Sequence, residues 1–423
     1  MNILITNGRV IDPANDIDAA VDVYIASGKI VSLGSAPDNF KADKTIDATN
    51  KVVCPGFIDL NVSLREPGYE HKATIASETK AAVSAGFTTL CCSPDSHPIL
   101  DTSSVAQLII DKATAAASAN VLPMGALTVG LSGKALSEMF ALKQTGCVAV
   151  SQAPNNNISP RILRLALQYA STFDLLVVLK PEDAGIKGEG LVHEGAISSR
   201  LGLNGIPVSA ETVAIAQAIA LAEETDCRVH LTGLSTSKGI AKLARAQFEG
   251  VPITADVHAY QLHLTELDVG TFDANYHVSP PLRTSEDRDA LIAGVAQGVI
   301  QVSSGHRPHE AEAKLAPFTS TEAGMSSLET TLSLMVDLVE NGLLDWPQLV
   351  KSLSSQPAKT LGLNTGCFST DAPADVTIID PAAKWIVSDE TWHSSGLNTP
   401  FWGQQMTGQV THTLVNGHIV FEK

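Results

Sequence analysis

An amide and a hydroxyl stand in this chain where metal enzymes commonly place two imidazoles. In the run DLNVSLREPG, Asp59, Asn61 and Ser63 alternate as on a β-strand, so Asn61 and Ser63 point to one face near the strand's end. Arg65 carries a guanidinium fork of the shape that grips a carboxylate, and is equally a loop residue able to pair with Glu66 or Glu70. In LKPED the Lys180 ammonium either pairs with Glu182 or Asp183 or extends to solvent. A lysine held in a buried pocket can serve as base or nucleophile, whereas a carbamylated one without neighbouring ligands makes a weak metal site. GHRPH sets His306 and His309 at the spacing of a metal pair, but on a loop with no third ligand in view. His258 and His263 show no ligand spacing and read as packing or surface residues. The cysteines, Cys54, Cys91, Cys92, Cys147, Cys227 and Cys367, form no Cys-x-x-Cys pair and lie mostly in or beside apolar runs, as buried reduced thiols do.

These residues need elements to hold them. Eight apolar strand-like runs alternate with helical patterns between about 54 and 364: VVCPGFIDLNVS, FTTLCCSPD, NVLPMGALTV, GCVAVSQ, LLVVLKPED, CRVHLTGLS, PITADVHAY and VIQVSSGHRPH. Segments such as SETKAAVSAG, SPRILRLALQYAS and SAETVAIAQAIALAEE supply the helices between them. Eight βα units predict an α/β fold, a (β/α)8 barrel with its active site at the C-terminal ends of the strands. Residues 1–53 instead read as short strands with Asn7-Gly8 and Ser27-Gly28 as hairpin turns, and 365–423 repeat the style around Asn416-Gly417. Both ends are therefore expected to form one small discontinuous β domain beside a barrel spanning 54–364.

Composition narrows the classes further. With 44 % hydrophobic and 17 % charged residues, the chain has the profile of a folded α/β protein rather than a disordered one. No apolar run is long enough to span a bilayer. A formal charge of −17 and no basic run or helix face argue against nucleic acid. MNILITNGRVID reads as a strand and turn rather than a targeting segment, so a cytoplasmic location is expected.

Several longer segments carry a resemblance. CPGFID and LREPG, SPD before HPIL, LVHEGAIS, PPLRTSEDR, GHRPH, SLETTLSLM, QPAKTLGL, PADVTIID and SGLNTPFWG stand in the order of the dihydroorotases, and the chain resembles that family of the amidohydrolase superfamily over nearly its full length. The resemblance implies an amidohydrolase-type barrel and an enzyme class that closes carbamoyl-aspartate to dihydroorotate in pyrimidine synthesis.

It also implies site positions, and those positions depart from the family's pattern. The family's His-x-His falls at Asn61 and Ser63, its bridging acidic residue at Ala153 in VSQAP, and the metal histidine of its fifth strand at Lys180. A second metal histidine, three residues beyond His230, falls at Gly233, and the catalytic aspartate at Gly305. Substrate-contact positions are kept at Arg65 and His309 and changed from asparagine at Asp95 and Ser279, where Asp95 is expected to set a negative charge near an anionic substrate. Forming or opening a cyclic amide needs a metal to polarise the carbonyl and a carboxylate to move a proton. Asn and Ser are poor zinc ligands, and Ala and Gly offer no side-chain donor.

The expectation is thus a pseudoenzyme: no metal, no cofactor and no catalytic residue. From the resemblance, its partner would be the catalytic chain of aspartate carbamoyltransferase, with this chain a homodimer inside a larger hetero-oligomer. Residual or altered cyclic-amidohydrolase chemistry using Lys180, Asp95 or His309, and a regulator sensing a ligand through Arg65, are the competing readings.

Overall fold

The structure is a computed structural model and describes residues 1–153 and 157–423. Eight parallel strands follow one another around a barrel: β1 Phe57–Val62, β2 Phe87–Cys92, β3 Asn120–Ala126, β4 Ala149–Ser151, β5 Leu176–Leu179, β6 Val229–Leu231, β7 Ile253–His258 and β8 Gln301–Ser303. Every expected run supplies one of them. The first run, however, is two strands. Val52–Pro55 belongs to the small sheet, and the chain enters β1 only after Gly56. Between β1 and β8 closure rests on a Val62–His306 bridge, and the Ser304 amide reaches Asp59 at 3.2 and 3.3 Å. Burial pushes the Asp59 carboxyl up to about 6.

The principal helices are α1 Ile75–Ser84, α2 Ser103–Ala116, α3 Met139–Thr145, α4 Pro160–Thr172, α5 Val208–Thr225, α6 Ser237–Phe248, α7 Ser285–Ala296 and α8 Leu328–Glu340. Their starts are local chemistry. Thr74 and Ser77 form a reciprocal capping box before α1, and Ser159 caps α4 with Pro160 in the first turn, where a missing N–H costs nothing. α4 buries one face, with Leu163, Ala166, Leu167 and Ala170, in the layer that wraps the strands, whereas α8 is buried nearly all round.

A six-stranded sheet joins both ends of the chain: Val376–Ile386 pairs with Val52–Pro55 on one side and Gln405–Val415 on the other. A second, four-stranded sheet comes from the first 47 residues alone. Ile3, Ile5, Val23, Val53, Val376 and Leu414 share one core between them. Ser27-Gly28 and Asn416-Gly417 turn tight antiparallel hairpins, with positive φ at all four residues. Asn7-Gly8 does not. Ile3–Thr6 and Arg9–Asp12 enter different sheets, so the expected hairpin is a crossover between layers. Five cysteines are buried and Cys367 is half-buried, all unbridged; burial pushes the Cys92, Cys147 and Cys227 thiols up to about 12.

Candidate functional site

The C-terminal ends of the strands enclose a cavity of about 250 Å3, lined by Asn61, Ser63, Ala153, Lys180, Thr232, His258, Ser279 and Gly305 among others. Loops at this end are free to vary while the barrel holds their roots, which is why function collects there. The expected face is therefore real: Asn61 and Ser63 both look into the cavity.

At its centre lies His258, at the end of β7. Asn61 Nδ2 donates to His258 Nε2 at 3.1 Å, leaving the ring proton on Nδ1, 2.8 Å from Tyr260 Oη. Burial drives this imidazole down to about 4, so it is neutral at pH 7. Gly233 and Gly305 face the ring with φ of +74° and +63°. A Cβ at Gly305 would stand 2.4 Å from His258 Cγ, and one at Gly233 would stand 3.0 Å from Nε2. His258 thus fills the volume that side chains at 233 and 305 would need. Its reading as a packing or surface residue understated it: it is the residue around which the site is packed.

Beneath the cavity, His230 Nε2 lies 2.9 Å from Asp256 and its Nδ1 lies 2.8 Å from Thr254 Oγ1. Asp256 also accepts from the Gly233 amide and Ser303 Oγ. Burial opposes its charge, but these bonds, His230's foremost, hold its carboxyl below the usual range.

Lys180 does not extend to solvent. Its residue is only 8 % exposed, and Nζ donates to Glu182 at 3.0 Å and to Ser279 Oγ at 2.5 Å. Asp183, the other expected partner, accepts instead from the Ile186 amide and caps the turn 184–187. Lys187 donates to the same Glu182 at 2.9 Å. Burial lowers Lys180 to about 8 against the pull of Glu182.

Across the mouth, Arg65 pairs with neither Glu66 nor Glu70. Its Nε donates to the Pro308 carbonyl at 2.8 Å and Nη2 lies 3.0 Å from His309 Nε2, while Glu66 takes Lys112. Lys72 donates to His309 Nδ1 at 3.1 Å and to both oxygens of Glu322 at 2.9 Å. Burial, then the charges of Arg65 and Lys72, hold His309 far below the usual imidazole range. Asp95 is likewise engaged: Arg307 stands 3.1 Å away and Ser93 Oγ donates at 2.5 Å, so its charge is countered by protein rather than offered to a ligand. His306 and His309 are not a pair. His306 Nε2 meets Glu78 at 2.7 Å and accepts the Ser327 amide on Nδ1, away from the His309 partners. His263 is partly buried and donates to the Leu334 carbonyl.

Ala153 forms part of the wall, while Pro154 of the same motif lies outside the described residues. Sequence reasoning missed Thr232, Lys187, Arg307, Lys72 and Glu322. Arg307 lies inside GHRPH and Thr232 directly before Gly233 in CRVHLTGLS, so their positions were visible there; the others join the site only through folding.

A metal is implied by the dihydroorotase resemblance, and the donor set does not fit one. Amide, hydroxyl, methyl, ammonium and two glycines stand at the six positions, and His258 is committed to Asn61 and Tyr260. Among the described residues no group of three or more His, Cys, Asp or Glu is placed to hold an ion. No helix of the described chain is long and apolar enough to cross a membrane.

The whole chain superposes on an L-hydantoinase (dihydropyrimidinase) from Arthrobacter aurescens with a TM-score of 0.89, covering 100 % of this chain and 96 % of that one at 23 % identity. A D-hydantoinase gives 0.83 with the same coverage and identity. The fold is that of the amidohydrolases, a barrel with a small β domain. Residues 50–239 match the dihydro-orotase-like family. A "Dihydroorotase-like protein" of Pseudomonas aeruginosa is 48 % identical over 100 % of both chains, and one of Pseudomonas putida 49 % over 99 % of each. A "Dihydroorotase" of Citrifermentans bemidjiense is 40 % identical over 100 % of both. The chain belongs to the dihydroorotase-like family.

The expectation of a pseudoenzyme is overturned by these relatives. Proteins 39–40 % identical over the whole chain bear the name dihydroorotase, and the fold's neighbours are hydantoinases, which are enzymes. The missing metal donors describe the composition of this site, not an absence of activity.

Proposed function

We propose that the chain acts in pyrimidine biosynthesis as an assembly partner of aspartate carbamoyltransferase, forming a homodimer within a larger complex with that enzyme's catalytic chain. The role is one of surfaces and makes no demand on turnover. The observation that supports it most is the packing of His258 against Gly233 and Gly305, which occupies the space beside two of the family's site positions while both sheets and all eight strands are kept. The full-length match to two proteins called dihydroorotase-like, rather than dihydroorotase, supports the same reading.

Co-expression with the catalytic chain of aspartate carbamoyltransferase tests it. The two should elute together from a sizing column, ahead of either alone, and the carbamoyltransferase should be more active or more stable in the shared peak. Separate elution with unchanged carbamoyltransferase activity would refute the role.

A further inference from the structure

The cavity keeps one hydroxyl that the protein does not use. Thr232, just past β6, is 3 % exposed, and among the described residues its Oγ1 has no hydrogen-bond partner although it lies on the cavity wall. Its backbone is held, the amide donating to Leu179, so the side chain is fixed beside the space it faces. A buried hydroxyl without a partner costs stability, and such a group in a cavity wall marks where an absent ligand would bond.

The charge of the wall says which ligand. Among the described residues Lys180, Lys187 and Arg307 line the cavity with one acid, Glu322, whose two oxygens are both taken by Lys72, while Arg307 is paired with Asp95 at 3.1 Å, so the unbalanced charge is that of the two lysines. Lys180 and Lys187 converge on the single carboxylate of Glu182, two ammonium groups for one countercharge. His258, the ring at the centre, is neutral. The wall is therefore positive in a chain whose formal charge is −17, and a small anion would be drawn to it. At about 250 Å3 the space lies below the roughly 300–1,000 Å3 of drug-sized sites, so the ligand is small.

We propose that the cavity binds a small oxyanion-bearing metabolite, a carboxylate or a phosphate, with Lys180 and Arg307 facing its charge and Thr232 donating the neutral hydrogen bond. The site is not the one that the resemblance assigned to Arg65 and His309. Arg65 Nε is bonded to the Pro308 carbonyl with its fork against His309, and His309 Nδ1 is taken by Lys72, so both are engaged with the loops of the mouth. The anion anchor has moved to the Lys180 side of the mouth. The inference concerns the isolated chain and stands whether or not it assembles with a carbamoyltransferase.

Calorimetric titration of the purified chain at pH 7 with succinate, with inorganic phosphate and with neutral succinamide tests it. Saturable binding of succinate or of phosphate is expected, with none of succinamide, and the anion that binds identifies the oxyanion. Lys180→Met should weaken binding at least tenfold. Thr232→Val, nearly isosteric, should weaken it about three- to tenfold while leaving the melting temperature in place, and Lys359→Met, on an exposed helix position, should leave affinity unchanged. Absence of saturable binding to both anions, or affinities that survive both Lys180→Met and Thr232→Val in folded protein, would overturn the proposal.

Discussion

The two sides of the barrel mouth carry the same kind of charge and use it differently. On one side Arg65, Lys72 and His309 form a closed network: Arg65 meets Pro308 and His309, Lys72 meets His309 and Glu322, and the His309 amide donates to Asn398. On the other, Lys180 and Lys187 share one carboxylate, and Thr232 has an unmet hydroxyl. A buried cation with its donors satisfied holds loops together; a cation beside an unsatisfied donor is prepared for something outside the chain. Residues kept in type are thus not residues kept in role. Arg65, the substrate-gripping candidate of the sequence, is a loop fastener, and Lys180, standing at a metal position, faces the open cavity.

Substitutions can break this contrast. The largest effect is expected where the deep wall is packed: Gly305→Asp places a side chain at a positive φ and drives its Cβ into His258, and should cost about 3 kcal/mol in urea unfolding. Zinc content should stay far below one equivalent. A variant as stable as the parent that takes up zinc would show that His258 yields and that the site is merely vacant. On the fastened side, Arg65→Ala strips the buried Pro308 carbonyl of its donor and should destabilise by about 2 kcal/mol, with loop protection from hydrogen exchange lost around 308. Unchanged exchange there would mean that the network holds nothing.

On the open side the readout is pH. Lys180, lowered to about 8, is charged below that pH and neutral above it, with Glu182 favouring the charge and Lys187 and Arg307 opposing it. Anion affinity should therefore fall as pH rises, about tenfold between pH 7 and pH 9 if Lys180 alone carries the pairing. A flat profile would assign the charge to Arg307. The smallest effect is the most diagnostic of the comparison: Thr232→Val should change stability by less than about 0.5 kcal/mol, because no protein bond is lost. A loss resembling that of Arg65→Ala would place Thr232 on the fastened side after all.

The scaffold could be read from the chain because strands and helices announce themselves locally. Each of the eight apolar runs became a barrel strand, and the Ser27-Gly28 and Asn416-Gly417 turns form hairpins whose two residues both adopt positive φ. Asn7-Gly8 has the same signature, yet which sheet each flanking strand joins is decided by distant partners, Lys44–Asp47 for one and Val52–Val53 for the other. The site was legible as positions and illegible as contacts. That Lys180 would reach Ser279, 99 residues away, or that His258 would fill the space beside Gly233 and Gly305, depends on three loops meeting in space. A glycine in sequence looks like an omission; in the fold it is room reserved for a neighbour.

Val52–Pro55 has a consequence for how this molecule comes into being. Cys54 in that strand pairs with Thr377, 323 residues later, and its Sγ donates to the Thr377 carbonyl, so a growing chain carries an unpaired strand edge until residues 376–379 have emerged from the ribosome. The barrel, built of neighbours in sequence, can form during synthesis; the terminal sheet cannot. Emergence of the strand Val376–Ile386 is then the event that seals the fold, and a message truncated before residue 376 yields a barrel with an adhesive edge, a species for proteases and chaperones rather than for the cell's work.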